Sequence, residues 1–396
     1  MIKMKKVLFL SLIMITILSI GLTSCATAPA EEPVEEAAPA EVEEVAEAEE
    51  VEEAEEAEEV EDVFTIGLMT VGPFDDHGWS QLHYEACMKL EEHYEGRVVC
   101  NAVSDVPYGD EATQTAELLI AQGADFIIDG VSAAAFVDPV IEAHPEVKFI
   151  SVAGTFLDSP PNYEVYFWNS GAAEWLLGMM SGMLTETNKI SYVAPFDFPN
   201  IHMQILTYHL GARSVNPDVS THVVVLNSWY DPAGARQATE SLADAGIDVI
   251  GGDMDDPTKV AVAQERGIWG LGAYTDAQRE FGPDAYINAY VYDFYTMWLP
   301  IVDGVLNGTE WVGNGELVFY EFGNGIDIGV WGDNVPQEVI DTVEAERQKL
   351  LDGFDPFVGP LVDVDGNVVL EEGEHFTGED YLYGTTAIVD GMVIGE

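Results

Sequence analysis

Flat aromatic side chains and carboxylates recur together at fixed places along this sequence. The pairing is densest in Phe74-Asp75-Asp76-His77-Gly78-Trp79 and returns in Pro195-Phe196-Asp197-Phe198-Pro199. It appears again in Asn227-Ser228-Trp229-Tyr230-Asp231-Pro232 and in Tyr274-Thr275-Asp276. Asp129, Phe167-Trp168-Asn169 and Asp253-Met254-Asp255-Asp256-Pro257 belong to the same series. Aromatic faces can sandwich a flat ring while carboxylates accept hydrogen bonds from ring N–H and amino groups. That chemistry suits a nucleobase better than a sugar phosphate or an anion, which would call for Arg or Lys. These stretches have only Lys259 and Arg279 nearby. The candidate ligand-binding residues are therefore Phe74, Asp75, Asp76, His77, Trp79, Asp129, Trp168, Phe196, Trp229, Tyr230, Asp253, Tyr274 and Asp276.

Other chemistry has less support. His77 and His83 with Asp75 and Asp76 match no tight metal-ligand spacing, and no metal is assigned. Adjacent acids on a loop usually diverge, which argues against Asp75 and Asp76 as an acid–base pair. The sequence has no Gly-x-Ser-x-Gly, no glycine-rich phosphate loop with Lys-Ser/Thr and no obvious Cys–His pairing. No catalytic residue and no cofactor is expected, and an enzyme is the weaker reading.

Residues so far apart in sequence need a scaffold that gathers loops. Phe64 to Thr70 is an apolar, β-prone run, Gly72-Pro73 breaks it, and Leu82, Ala86 and Leu90 mark one face of a following helix. Strands are expected at Val98–Val103, Phe126–Gly130, Lys148–Ala153 and Glu164–Trp168, with helices at 110–122 and 133–143 between them. A long apolar helix, 172–184, carries Gly178 and Gly182, which permit close packing. The pattern restarts at Lys189 and runs to Ala273. Alternation of strand and helix implies right-handed βαβ units and parallel sheets. In such sheets ligands bind outside the carboxyl ends of the strands, where the aromatic and acidic loops fall. Residues 285–306 read as one long helix, 315–322 and 325–330 as strands and 336–351 as a helix. Val364-Asp365-Gly366-Asn367 reads as a hairpin turn.

The first 62 residues read differently. Lys3, Lys5 and Lys6 precede an apolar stretch, Val7 to Ile20, which is too short to span a membrane. Leu22-Thr23-Ser24-Cys25 resembles a bacterial lipobox, so residues 1–25 are expected to be a lipoprotein signal with Cys25 lipidated. Residues 26–62 hold 18 acids and no base and cannot build a core, so they read as a solvated tether. The chain of 396 residues carries a formal charge of −58. The 54 acids and 11 bases beyond residue 62 still leave −43, which excludes nucleic acid as a partner. So acidic a surface also suits a salty habitat, where counter-ions screen its self-repulsion. Cys87 and Cys100 are expected as two buried thiols, with a disulfide as the alternative.

Gly72-Pro-Phe-Asp-Asp-His-Gly-Trp-Ser80 resembles the first-loop motif of the basic membrane protein family, the lipoprotein solute-binding components of ABC importers. The similarity continues through Asn227–Pro232, Gly270–Asp276 and Gly359-Pro-Leu-Val-Asp-Val-Asp-Gly-Asn-Val368. It implies an α/β fold: a two-lobed periplasmic-binding-protein clamshell, each lobe a parallel sheet flanked by helices, with a hinge crossed more than once. On this reading residues 63–186 plus about 290–396 form one lobe and 187–289 the other. The resemblance also implies stacking by Phe74 or Trp79 and base hydrogen bonds from Asp75 or Asp76. In nucleoside receptors of the family a late Gly-Val-Asp-x-Asp grips ribose. Here Gly272-Ala-Tyr-Thr-Asp276 puts Tyr274 at that position, which favours a free, adenine-like base. The expected role is capture of a purine base or nucleoside at the outer face of the membrane and delivery to an ABC permease. A ligand-sensing subunit of a membrane receptor and a secreted nucleoside hydrolase or deaminase remain as alternatives.

Overall fold

The computed structural model describes residues 63–152, 160–308, 311 and 317–395. The export signal, Cys25 and the acidic tether lie outside them. The first half runs β1 (Phe64–Thr70), α1 (Trp79–His93), β2 (Val98–Val103), α2 (Asp110–Ala121), β3 (Phe126–Gly130), α3 (Ala134–Ala143), β4 (Lys148–Val152) and β5 (Tyr163–Trp168). The second runs α4 (Gly171–Leu184), β6 (Lys189–Ala194), α5 (Pro199–Val215), β7 (Ser220–Val225), α6 (Pro232–Asp244) and β8 (Val249–Gly252). It continues with α7 (Thr258–Arg266), β9 (Trp269–Gly272), a 3₁₀ turn (Asp276–Phe281) and β10 (Tyr286–Tyr292). Then follow α8 (Phe294–Asn307), β11 (Leu317–Tyr320), β12 (Ile326–Ile328), α9 (Gln337–Leu351), β13 (Leu361–Val362), β14 (Val368–Leu370), α10 (Gly378–Tyr383) and β15 (Met392–Ile394).

The strands form two large sheets. The first has the order β11-β5-β4-β3-β1-β2 and is parallel throughout. The second has the order β12-β10-β9-β8-β6-β7-β15, parallel except where β12 joins β10. Parallel sheets are covered on both faces, so their strands read as continuous apolar runs. Ile66, Leu68, Ile128 and Ile150 are all fully buried. The α/β architecture is the one expected, and the chain passes between the sheets after β5, after β10 and after β11.

Three sequence expectations change. Residues 285–306 do not form one helix: the stretch is β10, then α8. Tyr286, Asn288, Tyr290 and Tyr292 alternate with Ile287, Ala289 and Val291, a period of two along β10. The Asp293 side chain accepts the Thr296 backbone N–H at 3.1 Å and starts α8 there.

The lobe boundaries also move. Gly178 and Gly182 permit close packing as expected, but against α5: a Cβ on Gly178 would lie 1.9 Å from the Tyr208 carbonyl oxygen. Helix α4 therefore belongs with the second sheet, so the chain crosses near Asn169–Ser170 and not near 186. Strands β12 and β15 come from the stretch assigned to the first lobe, yet they pair within the second sheet.

Finally, Cys87 and Cys100 are not two thiols. Helix α1 packs beside β2 with their Cα atoms 6.0 Å apart, and the sulfurs form a disulfide. The tail turn does form the expected hairpin, β13–β14.

Candidate ligand-binding site

In the first sheet the order β2-β1-β3-β4-β5 reverses direction at β1; in the second, β7-β6-β8-β9-β10 reverses at β6. Crevices open at such switch points because successive crossover helices leave on opposite faces. A cavity of about 440 Å³ lies between these two sets of strand ends. Its size is in the range of small-molecule sites. Trp79, Gly130 and Trp168 reach it from the first half, and Phe196, Trp229, Asp253 and Tyr274 from the second. Among the described residues, no Lys, Arg or His lines it.

The aromatic walls are held by specific contacts. The Trp79 and Trp168 ring centroids are 5.5 Å apart, and the Trp79 indole N–H donates to the Gly130 carbonyl at 2.8 Å. The Trp168 indole N–H is buried and has no hydrogen-bond acceptor among the described residues. Across the cavity, Phe196 and Phe198 stack at 4.9 Å with an interplanar angle of 5°. The Trp229 N–H donates to the Tyr108 hydroxyl at 3.2 Å, joining loops from the two halves.

The acidic side is built by the loop after β8. Asp253 is buried and accepts a short hydrogen bond from the Tyr290 hydroxyl. Asp255 is 1% exposed and lines the cavity, and neither of its carboxylate oxygens has a hydrogen-bond partner among the described residues. Burial, with Asp76, Asp253 and Asp256 nearby, pushes this carboxyl well above its ordinary range, against a partial offset from the Tyr274 hydroxyl. Lys259 is fully buried behind the loop, and its ammonium donates to Gln278 Oε1 at 3.4 Å. Burial lowers its pKa to about 8, partly offset by Asp256, Asp253, Asp255 and Glu174. The halves meet closely here: a Cβ on Gly78 would lie 2.2 Å from the Asp255 carbonyl oxygen, so only glycine fits.

Trp79, Trp168, Phe196, Trp229, Asp253 and Tyr274 thus share one crevice; the other seven residues singled out from sequence stand elsewhere. Phe74 stacks on Tyr84 at 4.4 Å, Asp75 is exposed and Tyr230 is 41% exposed. Asp76 accepts the backbone N–H groups of Gly78, Ser80 and Gln81 at 2.8, 2.9 and 3.1 Å and so caps α1. His77 adopts φ 58° and lays its ring against Phe281, while its carbonyl accepts from Gln278 at 3.1 Å. Asp129 accepts the Val131 and Ala133 N–H groups and the Ser151 hydroxyl, and burial pushes its carboxyl up to about 6. Asp276 accepts the Tyr286 hydroxyl at 3.0 Å and the Val330 N–H at 2.8 Å. These acids are engaged in shaping loops.

The cavity also has walls that the sequence reading missed. Tyr108 sits in the loop after β2, where it is the one aromatic and stands apart from Asp105. Gln204 lies one turn beyond Asn200 on α5, an i,i+4 face toward the cavity, with its Oε1 3.1 Å from the Tyr192 hydroxyl oxygen. Tyr292 was hidden by reading β10 as helix. Asp255 lies within Asp253-Met254-Asp255-Asp256-Pro257, and nothing local separates it from Asp253 or Asp256. No group of three or more His, Cys, Asp or Glu placed to hold a metal ion occurs among the described residues.

Comparison with known proteins bears on this geometry. The Bmp family profile, described as ABC transporter substrate-binding protein PnrA-like, matches residues 63–354. A Haloferax volcanii protein named as an ABC transporter glucose-binding protein is 31% identical over 73% of this chain and 73% of its own. A purine-binding protein of Brucella abortus is 26% identical over 83% of this chain and 92% of its own. The crystal structure of an ABC transporter solute-binding protein from Aeropyrum pernix superposes with a TM-score of 0.62 at 17% identity, covering 76% of this chain and 95% of that one. That likeness shows the fold.

Proposed function

The chain belongs to the Bmp family of PnrA-like ABC transporter substrate-binding proteins, and from that premise we propose that its cavity captures a purine, with an adenine-like base favoured over a nucleoside. As a substrate-binding protein it serves an ABC permease with a small-molecule ligand outside the cytoplasm. The choice of ligand rests on one observation. Asp255, a buried carboxyl group with two unpaired oxygens, stands in the wall of a cavity lined by aromatic rings and by no cation among the described residues. Leaving a buried polar group unpaired costs roughly 1–3 kcal/mol or more, and a ligand with N–H donors removes that cost. The Trp and Phe faces supply stacking, worth about 1–3 kcal/mol per base in nucleic-acid complexes. An anion finds no cationic partner on this lining among the described residues. Tyr274 in place of a ribose-gripping acid supports the free base.

A hexose is the second reading. Its hydroxyls also donate to carboxylates and its apolar face also packs on indoles, and one relative is named for glucose. Calorimetric titration with adenine, adenosine, guanosine and glucose separates the cases. Adenine should bind tightest. Tight adenosine binding without adenine binding would overturn the base, and glucose binding without either purine would overturn the purine. Mass spectrometry of ligand retained through purification gives an independent answer, and recovery of intact purine after incubation would argue against a hydrolase or deaminase.

We further propose that lipid on Cys25 anchors the protein and that residues 26–62 act as its tether. Both lie outside the described residues. A Cys25→Ser variant should lose membrane association and appear in the soluble fraction; a variant that stayed with the membrane would refute the anchor.

A further inference from the structure

This inference rests on the purine reading above and concerns the form in which Asp255 meets its ligand. Five buried carboxyl groups gather here, all at most 2% exposed: Asp253 and Asp255 in the cavity wall, and Asp76, Glu174 and Asp256 beyond it. One buried ammonium, Lys259, faces four of them. Tyr108 and Tyr274 complete the titratable groups around Asp255. A dry interior does not hold several like charges on one counter-charge, so protons must be taken up.

Hydrogen bonding decides which carboxyl takes one. Asp76 has three backbone N–H donors. Asp253 has the Tyr290 hydroxyl, Asp256 the Thr258 N–H at 2.9 Å and Glu174 the Tyr192 hydroxyl at 3.0 Å. Asp255 makes no side-chain hydrogen bond among the described residues, and the nearby Tyr274 hydroxyl gives only a partial offset. The carboxylate with the fewest hydrogen bonds gains most from a proton.

We propose that Asp255 meets the ligand as a neutral carboxylic acid, donating from one oxygen and accepting at the other, and thereby selects a heterocycle edge with an amino group beside an acceptor nitrogen. Adenine presents such an edge. Guanine presents two adjacent donors, N1–H and its amino group, which match an ionised carboxylate instead. One side chain then sets which purine is taken, and does so through its proton. Burial of the group acts in the same direction.

The test is calorimetric titration of the wild-type chain and of Asp255→Asn with adenine and guanine, from pH 5 to pH 9. An amide keeps one donor and one acceptor but has no proton to lose. Wild-type affinity for adenine should fall as pH rises through the Asp255 pKa, approaching tenfold per unit above it. The adenine-to-guanine preference should fall with it. Asp255→Asn should bind adenine within about fivefold of wild type, with a flat profile. Adenine affinity that is flat or rises with pH in the wild type would overturn the proposal, and that measurement needs no variant. So would loss of adenine binding in a folded Asp255→Asn protein. Failure of every purine to bind would overturn the purine reading itself and carry this proposal with it.

Discussion

Two acidic loops meet across the cavity, and on paper they are near equivalents. Both follow a central strand at a switch point, both contain adjacent aspartates, and both lead into a helix. The loop after β1 offers Asp75 and Asp76; the loop after β8 offers Asp253, Asp255 and Asp256. Yet the Asp76 carboxylate is saturated by three backbone N–H groups at the start of α1, whereas Asp255 is as deeply buried and unpaired. The difference shows that a carboxylate in such a loop stays without a partner only where the following helix does not claim it. Helix α7 takes its side-chain contact from Asp256, whose Oδ1 accepts the Thr258 N–H. That leaves Asp255, one residue earlier, without a local partner.

The contrast can be broken at several points. The largest effect is expected for Asp255→Leu, which removes both donor and acceptor. Loss of hydrogen bonding of about 3 kcal/mol corresponds to roughly a 100-fold weaker ligand affinity by calorimetry. Its urea midpoint should not fall, because a buried group without partners is removed. A destabilised variant with unchanged affinity would reverse the roles assigned to the two loops.

Asp76→Ala should do the opposite. Removing the α1 cap is expected to cost about 1–2 kcal/mol in urea unfolding, with affinity changed by no more than about twofold. A large affinity loss at unchanged stability would make Asp76 a ligand residue after all.

A smaller effect tests the packing behind the first loop. His83 lies under Trp79, its Nδ1 paired with the Trp79 carbonyl at 2.9 Å and its Nε2 with the Tyr166 hydroxyl at 3.0 Å. Burial lowers its pKa to about 3. A depressed pKa contributes stability that is present above the ordinary value of 6.5 and is lost as pH falls toward 3. The stability gap between wild type and His83→Gln should therefore shrink from pH 7 to pH 4.5, and a constant gap would show that His83 does not titrate in this window. The smallest effect belongs to Asp75→Ala. This exposed residue should change neither affinity nor stability by more than about 0.5 kcal/mol.

Much of the site was legible before folding. Trp79, Trp168 and Trp229 stand far apart in the chain, and strand-end logic alone sent them to one crevice. The same logic extends to Tyr108, whose loop holds a lone aromatic with Asp105 three residues away in place of a contiguous aromatic–acid run. Tyr292 is obscured for a different reason: a mostly apolar run broken only by Asn288 fits helix and strand periodicities alike. The Cys87–Cys100 pairing depended on how α1 seats on β2, which no local pattern reports.

The sequence by itself determined the alternation of strands and helices, two parallel-sheet halves and the placing of aromatics and acids at strand ends. Those features follow from periodicity and turn chemistry, which act within a few residues. Only the tertiary structure decided which half α4, β12 and β15 join, and which carboxylates remain free. Burial is set by groups far away in the chain, so two aspartates that read alike as letters end with opposite hydrogen-bonding states once the sheets are in place.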